Sequence, residues 1–294
     1  MSMKTERFGV LILTHGRADN VITEKTLRKQ GYTGPIYYVI DDEDDQTEQY
    51  KERYGSNVII FNKTMWLNLT DTGDNDGNRG VVVPARNAAF DIARSLDLDY
   101  FLELDDDYKS FMVRYEKDGA LKSYDIKNLD AVFDIYVEFL EASDALTVAF
   151  SQGGDFIGGL NGDMWKQKIK RKAMNAFFCR TSRPFEFYGR LNEDATMTAL
   201  LGNQGEKIFT LANVMLVQEA TQKNKGGLTE AYLEFGTYLK SFYSVIFCPN
   251  SVKVKTMGQN SRRIHHAVDW NKCAAKILNP RYQRFTKNEE KKGE

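Results

Sequence analysis

The pattern with the clearest chemical meaning is a run of three aspartates, Asp105 to Asp107, which directly follows the apolar segment 100–104. Because side chains alternate along an extended chain, Asp105 and Asp107 can point to the same side. Carboxylates in that arrangement suit Mg²⁺ or Mn²⁺, which takes few protein ligands and fills its other positions with phosphate oxygens and water. A solvated acidic turn is the alternative, and the apolar run favours the metal site.

Two further apolar runs, 8–13 and 36–40, also end in polar residues. Both are typical of buried parallel strands, whose carboxyl ends form the edge where open α/β sheets bind ligands. After the second run, Asp41 and Asp42 can hydrogen-bond a ribose or a base. After the first, backbone N–H groups and a cation can face a nucleotide, from Thr14, His15, Gly16 and Arg17. A plain polar loop is the alternative at both places.

Two predicted helix starts carry charged or amide side chains. Arg86 and Asn87 open a helix at 84–95 and can offer a forked cation and an amide to the same sheet edge. An ordinary arginine at a helix start is the alternative. Glu193 and Asp194 precede a second helical stretch, so one acid can cap the helix while the other faces a cleft. A simple N-cap would account for only one of them.

Basic residues are concentrated in Trp165–Lys172, here called the basic strip. Five cations in eight positions, with an interleaved aromatic, can contact nucleic-acid phosphates, through Lys166, Lys168, Lys170, Arg171 and Lys172. A solvated face is the alternative. Near the C-terminus, His265 and His266 can ligate a metal or contact a diphosphate, or simply lie on the surface.

The remaining pattern predicts an α/β chain that positions these residues. We expect helices at 21–30 and 128–142, strands at 58–61 and 145–150, a hairpin turn near Asp118-Gly119, a mobile loop at 68–80 and a glycine-rich loop at 153–162. The net charge of −1 means that a polyanion must be bound by a local patch. Cys179, Cys248 and Cys273 have no paired spacing, so we expect reduced cysteines in a cytoplasmic protein without membrane contact.

Taken together, several ordered segments resemble one family. They are LTHGR at 13–17, GYTGPIYYVIDDED at 31–44, PARN at 84–87, LDDDY at 104–108, NED at 192–194 and RIHH at 263–266, with a further match at 226–242. These segments are similar to those of the TET/JBP-associated glycosyltransferases, which include the base J glucosyltransferase and phage enzymes that glycosylate hydroxymethylated pyrimidines in DNA. The resemblance runs through most of the chain.

The resemblance implies a GT-A fold, which is a Rossmann-like mixed sheet flanked by helices, with a UDP-sugar donor and Mn²⁺ or Mg²⁺ as cofactor. It assigns the metal to Asp105 and Asp107, with His265 or His266 as a further ligand. It assigns the catalytic base to Asp194. The candidate donor-binding residues, from the pattern and the resemblance together, are Thr14, His15, Gly16, Arg17, Asp41, Asp42, Arg86, Asn87, Asp105 and Asp106. Of these, the resemblance matches Asp42 to the nucleoside-binding acid and Arg86 and Asn87 to the PARN element.

The resemblance also implies a single domain at 1–285 with a charged tail at 286–294. Its nucleotide-sugar half would cover about 1–110 and its acceptor half about 111–285. The implied reaction is inverting transfer of glucose or arabinose to 5-hydroxymethylcytosine, or a related base, in phage DNA within the host cytoplasm. The alternatives are a GT-A enzyme acting on a protein or polysaccharide, and a non-catalytic DNA-binding accessory that works through the basic strip.

Overall fold

The computed structural model describes residues 7–75, 77–219, 238–257, 262–274 and 277–282. Within these residues, a ten-stranded mixed sheet is flanked by helices, and a separate two-stranded ribbon lies near the C-terminus. This confirms the predicted α/β fold with a mixed sheet. No helix of the described ranges is long and apolar enough to span a bilayer.

The strands are β1 (Phe8–Leu13), β2 (Ile36–Asp41), β3 (Val58–Phe61), β4 (Tyr100–Asp105), β5 (Tyr108–Lys117), β6 (Ala120–Asp125), β7 (Thr147–Gln152), β8 (Ile169–Lys170), β9 (Phe177–Arg180), β10 (Ile208–Gln218), β11 (Val252–Met257) and β12 (Arg263–Val268). The large sheet has the order β3-β2-β1-β4-β9-β7-β10-β5-β6, with β8 paired to β10. β11 and β12 form the ribbon.

The helices are α1 (Ile22–Lys29), α2 (Thr47–Tyr54), α3 (Lys63–Leu69), α4 (Val83–Ser95), α5 (Leu129–Ser143), α6 (Asp163–Gln167), α7 (Glu193–Asn203), α8 (Lys240–Phe247) and α9 (Trp270–Cys273). The helices and strands predicted from the sequence are found within a few residues of their expected ends. The predicted hairpin turn joins β5 to β6, where Asp118 and Gly119 both have positive φ, as a two-residue turn of this kind requires. The glycine-rich loop holds two short 3-10 turns, Gly153–Phe156 and Gly159–Asn161.

Two apolar layers cover the sheet, one on each face. Val10 and Ile12 pack into the layer that contains Leu27 of α1 and Phe133 of α5. Leu11 and Leu13 pack on the opposite face, in the layer formed with α4 and α7. Because β1 is buried on both faces, its sequence is a continuous apolar run without polar alternation.

Parallel pairing brings the predicted site residues to one edge of the sheet. β1 pairs with β2 and with β4 in parallel, and Leu13 is opposite both Val39 and Asp105. The chain segments that follow these strands therefore emerge side by side, which places the first loop, Asp41 and the aspartate run together. The sheet is continuous through residue 110, and the division into two halves there stays a prediction.

The loop between α3 and α4, predicted to be mobile, is held by contacts at its described residues. Asp74 pairs with the buried guanidinium of Arg190 at 2.7 Å, and it accepts a hydrogen bond from the Tyr243 hydroxyl of α8. At the far end of the loop, Arg79 Nε donates to Glu43 Oε2 at 3.0 Å. The sequence did not signal these contacts, because both anchors come from distant positions, and the mobility of the loop stays a prediction. Most of the 226–242 match and the whole charged tail lie outside the described residues.

Candidate active site

A single buried guanidinium joins three elements at the carboxyl edge of the sheet. Arg86, in the first turn of α4, is 2% exposed. Its Nη1 donates to Glu103 Oε1 at 2.7 Å and its Nη2 to Asp105 Oδ1 at 3.0 Å. Its Nε donates to Glu193 Oε1 at 2.9 Å. Each guanidinium nitrogen is thus bound to a carboxylate, and Arg86 contributes to the site by fixing these acids in place.

The alternation of β4 explains how two of these acids reach one arginine. Glu103 and Asp105 lie on the same face of the strand as Phe101, which is the face that α4 covers. Glu103 is fully buried, and burial raises its pKa to about 7 against the opposing effect of Arg86. One of its oxygens, Oε2, has no hydrogen-bond partner within the described part of the chain.

Asp105 and Asp107 differ in how far the protein neutralises them. The side chain of Asp105 is 31% exposed, and its Oδ2 lies 3.2 Å from the Tyr108 hydroxyl. Asp107 is half-buried, and no described residue forms an ion pair with its carboxylate. Burial, followed by the charges of Asp105 and Asp106, raises the pKa of Asp107 to about 7. The aspartate run therefore carries negative charge that the surrounding side chains only partly balance.

Asp106 and Asp107 form the turn between β4 and β5, so the extended chain assumed for the whole aspartate run ends at Asp105. Asp106 is buried, and its Oδ2 accepts a hydrogen bond from Thr14 Oγ1 at 2.7 Å. Its Oδ1 accepts from Arg17 Nη1 at 2.6 Å. Asp106 thus ties the loop after β1 to the loop after β4.

Backbone N–H groups of the loop after β1 donate hydrogen bonds to side chains of the protein itself. Gly16 N–H donates to Asp44 Oδ2 at 2.8 Å, and Arg17 N–H donates to the Tyr50 hydroxyl at 2.9 Å. These two amides therefore do not face a nucleotide as expected, because side chains of the segment after β2 already bind them. The loop still presents the side chain of His15, which is 49% exposed.

Asp41 and His15 form a pair at the ends of β2 and β1. His15 Nδ1 lies 2.8 Å from Asp41 Oδ2, and this hydrogen bond raises the pKa of His15. Burial acts in the opposite direction on Asp41, but the hydrogen bond with His15 and the nearby Lys63 lower its pKa. Lys63 Nζ lies 3.3 Å from Asp41 Oδ1.

Asp42 and Asn87 hold local structure at either side of the site. Asp42 is exposed, accepts from Asn62 Nδ2 at 2.8 Å and accepts from Lys63 N–H at 2.9 Å, at the start of α3. The side chain of Asn87 donates to Phe187 O at 3.1 Å and accepts from Phe187 N–H at 2.8 Å. Asn87 therefore fixes the segment that leads into α7.

The two acids at the start of α7 have different partners from those expected. Glu193 pairs with Arg86, whereas Asp194 Oδ1 accepts a hydrogen bond from Ala195 N–H at 2.6 Å. Neither acts as the N-cap, since that position belongs to Asn192, which has a positive φ and no side-chain cap. Asp194 is 8% exposed, and burial together with Glu193 raises its pKa to about 7.

His265 and His266 come to the same end of α7. Asn192 Nδ2 lies 3.0 Å from His266 Nδ1, and the two imidazole rings are 4.2 Å apart. Burial, with His265 and Lys240, lowers the pKa of His266 to about 4, so its ring is neutral near pH 7. In the described ranges, no group of three His, Cys, Asp or Glu side chains is arranged to hold a metal. The predicted set of Asp105, Asp107 and a histidine is therefore not assembled there.

The basic strip divides into residues with different surroundings. Lys166 and Lys168 are exposed, and Lys168 Nζ lies 2.9 Å from the ring centre of Trp165. Lys170 belongs to β8, opposite Thr210 of β10. Lys172 forms an ion pair with the buried Asp155. Lys172 thus contributes to the fold through its ion pair, while Lys166 and Lys168 are exposed to solvent.

Sequence reasoning missed two contributors to this region. Glu103 carried a signal, because an acid inside the apolar run 100–104 has to find a buried cation. Lys63 carried none, since nothing in its neighbourhood distinguishes it from a surface lysine before the fold brings it to Asp41.

Comparison with known proteins identifies the family. The model of the TET-associated glycosyltransferases matches residues 8–227, which include the aspartate run, Arg86 and Asp194. No curated protein matches the chain.

Several solved structures are similar to the chain at low identity. TarS of S. aureus is 16% identical over 71% of this chain and 36% of its own, with a TM-score of 0.40. This chain thus spans little more than a third of TarS. Glucosyl-3-phosphoglycerate synthase from Mycobacterium tuberculosis, solved with Mn²⁺, UDP and phosphoglyceric acid, is 12% identical over 90% of this chain and 88% of its own, with a TM-score of 0.44. GalNAc-T7, solved with UDP, GalNAc and Mn²⁺, is 11% identical over 74% of this chain and 44% of its own, with a TM-score of 0.47.

The family match covers most of the chain, agrees with the ordered motifs of the sequence and contains the residues gathered around Arg86. The chain belongs to the TET-associated glycosyltransferase family, and it is a glycosyltransferase.

Proposed function

We propose that the chain transfers a sugar from a UDP-sugar to the hydroxyl of a 5-hydroxymethylpyrimidine in DNA, with inversion at the anomeric carbon. The observation that carries this proposal is the linkage of Asp105 to Glu193 through Arg86. It places the aspartate run at the end of β4 beside the acids at the start of α7. A diphosphate-binding group and a proton acceptor are the two functions that such a transfer needs at one place.

The aspartate run fits a divalent cation. Asp105 is partly exposed, and Asp107 lacks an ion-pair partner among the described residues, so a cation held by both would balance charge that the protein leaves unmatched. Two carboxylates are enough for Mg²⁺ or Mn²⁺, since phosphate oxygens and water complete the shell. When bound, such an ion would neutralise the leaving diphosphate. This assignment does not require a histidine ligand.

Asp194 is the proposed general base. Its raised pKa lies near neutral pH, which favours proton acceptance from an alcohol as the oxygen attacks the anomeric carbon. Glu193, the competing acid, already pairs with the buried Arg86, so its ionised form serves to position that arginine. One direct displacement inverts the anomeric centre, so an α-linked donor would give a β-linked product.

The donor's nucleoside is proposed to lie near the ends of β1 and β2. The exposed His15 ring and the carboxylate of Asp42 are the groups there that a ribose or base can reach. Asp41 and Asp106 are proposed to support the donor site without contacting the donor, because both are buried and hold these loops together. The basic strip, through Lys166, Lys168 and Lys170, is proposed to contact the phosphates of the DNA acceptor.

A direct assay tests this proposal. The protein is incubated with hydroxymethylated DNA, Mn²⁺ and a panel of nucleotide sugars, and the digested nucleosides are analysed by mass. We expect one nucleoside to gain the mass of the transferred sugar, with NMR showing inverted anomeric configuration. Transfer to a protein or polysaccharide, with no change in the DNA, would overturn the acceptor. A retained configuration would overturn the single displacement and the role of Asp194.

A further inference from the structure

A second basic wall faces the basic strip across an open cleft. The cleft has a volume of about 630 Å³ and lies between β8 on one side and the β11–β12 ribbon with α9 on the other. Its charged lining residues are Lys170, Arg171, Lys172, Lys253, Lys255, Lys272, Asp163 and Asp269. None of the aspartate run lines it, so the cleft is separate from the donor site.

The charges of this cleft favour a polyanion. Six of the charged lining residues are cations and two are acids. Asp269 is the N-cap of α9 and accepts from Lys272 N–H, and Lys172 pairs with Asp155. The remaining cations stand on two facing walls of a protein whose net charge is −1, which focuses a positive potential in one place.

Both walls are held rigidly by the fold. Lys170 and Ile169 pair with β10, and Thr210 Oγ1 donates to Lys172 O at 2.7 Å. On the other wall, Val252 packs into the core with Cys273 of α9. α9 lies so close to α7 that a Cβ at Gly202 would be 2.4 Å from Cys273 O, which only glycine permits.

The ribbon presents its lysines on its open face. Lys253 and Lys255 are both exposed, and they are two residues apart on β11, so they share one face about 7 Å from each other. Val252 and Val254 point to the other side, toward the body of the protein. Evenly spaced cations on a rigid strand are suited to successive backbone phosphates.

Trp270 adds an aromatic surface to the cleft. It is half-buried at the start of α9 and lines the cleft beside the ribbon. Basic grooves that also present aromatic rings are the usual arrangement for binding single-stranded nucleic acid, because phosphates contact the cations and bases stack on the rings.

The cleft lies near the acids at the start of α7. Gly202, which contacts α9, is eight residues after Asp194, or about 12 Å along the helix. The ribbon contacts the residue before these acids, since His266 lies 3.0 Å from the side chain of Asn192. The ribbon and α9, which form one wall of the cleft, thus both contact α7, the helix that begins with these acids.

We propose that this cleft binds a single strand of nucleic acid, with phosphates on Lys170, Lys253 and Lys255 and a base stacked on Trp270. The proposal deepens the proposed function, on which it rests, by naming the form of the acceptor. The strand next to the modified base would be unpaired when it enters the cleft. The second wall lies beyond residue 227, where the family match ends.

The test uses fluorescence anisotropy of a labelled single-stranded oligodeoxynucleotide with the full chain over a range of salt concentrations. The variant K253A/K255A removes two exposed cleft cations, and K25A/K29A removes two exposed lysines from α1 as a matched control. We expect the cleft variant to bind at least tenfold more weakly and to lose about 1.4 from the log–log salt slope, since each single-strand phosphate contact contributes about 0.7. The control should match the wild type.

Trp270 is tested with a pair of variants. W270F should retain most of the affinity, because a phenyl ring still stacks, whereas W270L should lose about tenfold. Equal binding by W270F and W270L would overturn the stacking role. Wild-type affinity in K253A/K255A, or the same loss in K25A/K29A, would overturn the proposal that the cleft binds the strand. A loss of affinity for phosphatidylglycerol vesicles, without a loss for the oligonucleotide, would overturn nucleic acid as the partner.

Metal-dependent hydrolysis of UDP-glucose without acceptor, measured on the same proteins, separates the two proposals. The cleft variants should hydrolyse the donor at the wild-type rate. If the protein binds the oligonucleotide through the cleft but turns over no nucleotide sugar, the result would support strand binding by the cleft and contradict the proposed donor. Donor turnover without strand binding would contradict the cleft alone.

Discussion

Two parts of the carboxyl edge of the sheet, which is the proposed ligand-binding edge, differ in how their acids are balanced by cations. At the ends of β1 and β2, the acids lie beside cations: Asp41 beside His15 and Lys63, and Glu43 beside Arg79. At the end of β4, one guanidinium serves three carboxylates, those of Glu103, Asp105 and Glu193.

The pKa shifts of the carboxyl groups also differ between the two parts of the edge. Hydrogen bonds to cations lower the pKa values of Asp41 and Glu43 at the first end. At the second end, burial and neighbouring acids raise the pKa values of Asp107 and Asp194 to about 7. At the first end, cations thus favour the ionised form of these two acids. The second holds unmatched carboxylates, which is the condition that favours a bound cation and a proton acceptor.

Removing the shared cation tests this contrast most severely. Arg86→Leu would leave Glu103, Asp105 and Glu193 without their common partner, and the loss of one member of a buried ion pair costs about 3–5 kcal/mol of unfolding free energy. Chemical denaturation measures the change. We also expect the loss to shrink at pH 5, where the orphaned acids can take up protons.

The matched control is Arg94→Leu on the same helix. Arg94 pairs with Asp91 on the surface, where ion pairs contribute less than about 1 kcal/mol. Similar losses in both variants would show that Arg86 is an ordinary helix arginine and would remove the basis of the comparison.

The second prediction concerns Asp194 as the base. Asp194→Asn should lower the rate of sugar transfer by about 10²–10⁴ while leaving donor hydrolysis measurable and the melting temperature near that of the wild type. Glu193→Gln, its neighbour, should instead lower stability because it weakens the contact with Arg86. The opposite pattern, with transfer lost in Glu193→Gln alone, would assign the base to Glu193.

The pH dependence sharpens the same assignment. A base must be ionised, so the wild-type kcat/KM should rise about tenfold per pH unit up to the pKa of Asp194, about 7, and then level off. The stability trend has the opposite sign. A carboxyl whose pKa is raised in the folded protein stabilises it below its unfolded pKa, and this contribution is lost as the pH rises toward 7. Asp194→Asn should flatten this part of the stability profile.

A smaller effect is expected where the loop between α3 and α4 is anchored. Asp74→Asn weakens the pairing with the buried Arg190, which should cost about 1–3 kcal/mol and expose the loop to limited proteolysis. Asp71→Asn in the same loop is the control, since among the described residues its exposed side chain accepts from Gly73 N–H alone, which an amide oxygen can also do. Equal proteolysis of both variants would mean that the anchor does not hold the loop.

The sequence was sufficient for the parts of the fold set by local pattern. Continuous apolar runs identified β1, β2 and β4, and the residues after them identified the sheet edge, because side-chain alternation and parallel pairing are properties of short segments. The family resemblance added a functional role for 192–194, which the helix pattern alone would have assigned to capping.

The long-range contacts that hold these residues in place could not be predicted from the sequence. Arg86 meets Glu193 across 107 positions, so neither residue signals the other locally. The anchoring of Asp74 by Arg190 spans 116 positions, which is why the loop was predicted to be mobile. The lysines of the cleft come from segments 169–172 and 253–255 and from Lys272, and only the first segment formed a basic run in the sequence.

The central claim is that the end of β4, and not the end of β2, binds the metal. Electron paramagnetic resonance of free Mn²⁺ measures this directly in the wild type, Asp107→Asn and Asp41→Asn. We predict that Asp107→Asn weakens Mn²⁺ binding at least about tenfold, because it removes a ligand, and that Asp41→Asn binds Mn²⁺ as the wild type does. Undiminished Mn²⁺ binding in Asp107→Asn, or an equal loss in Asp41→Asn, would contradict the account.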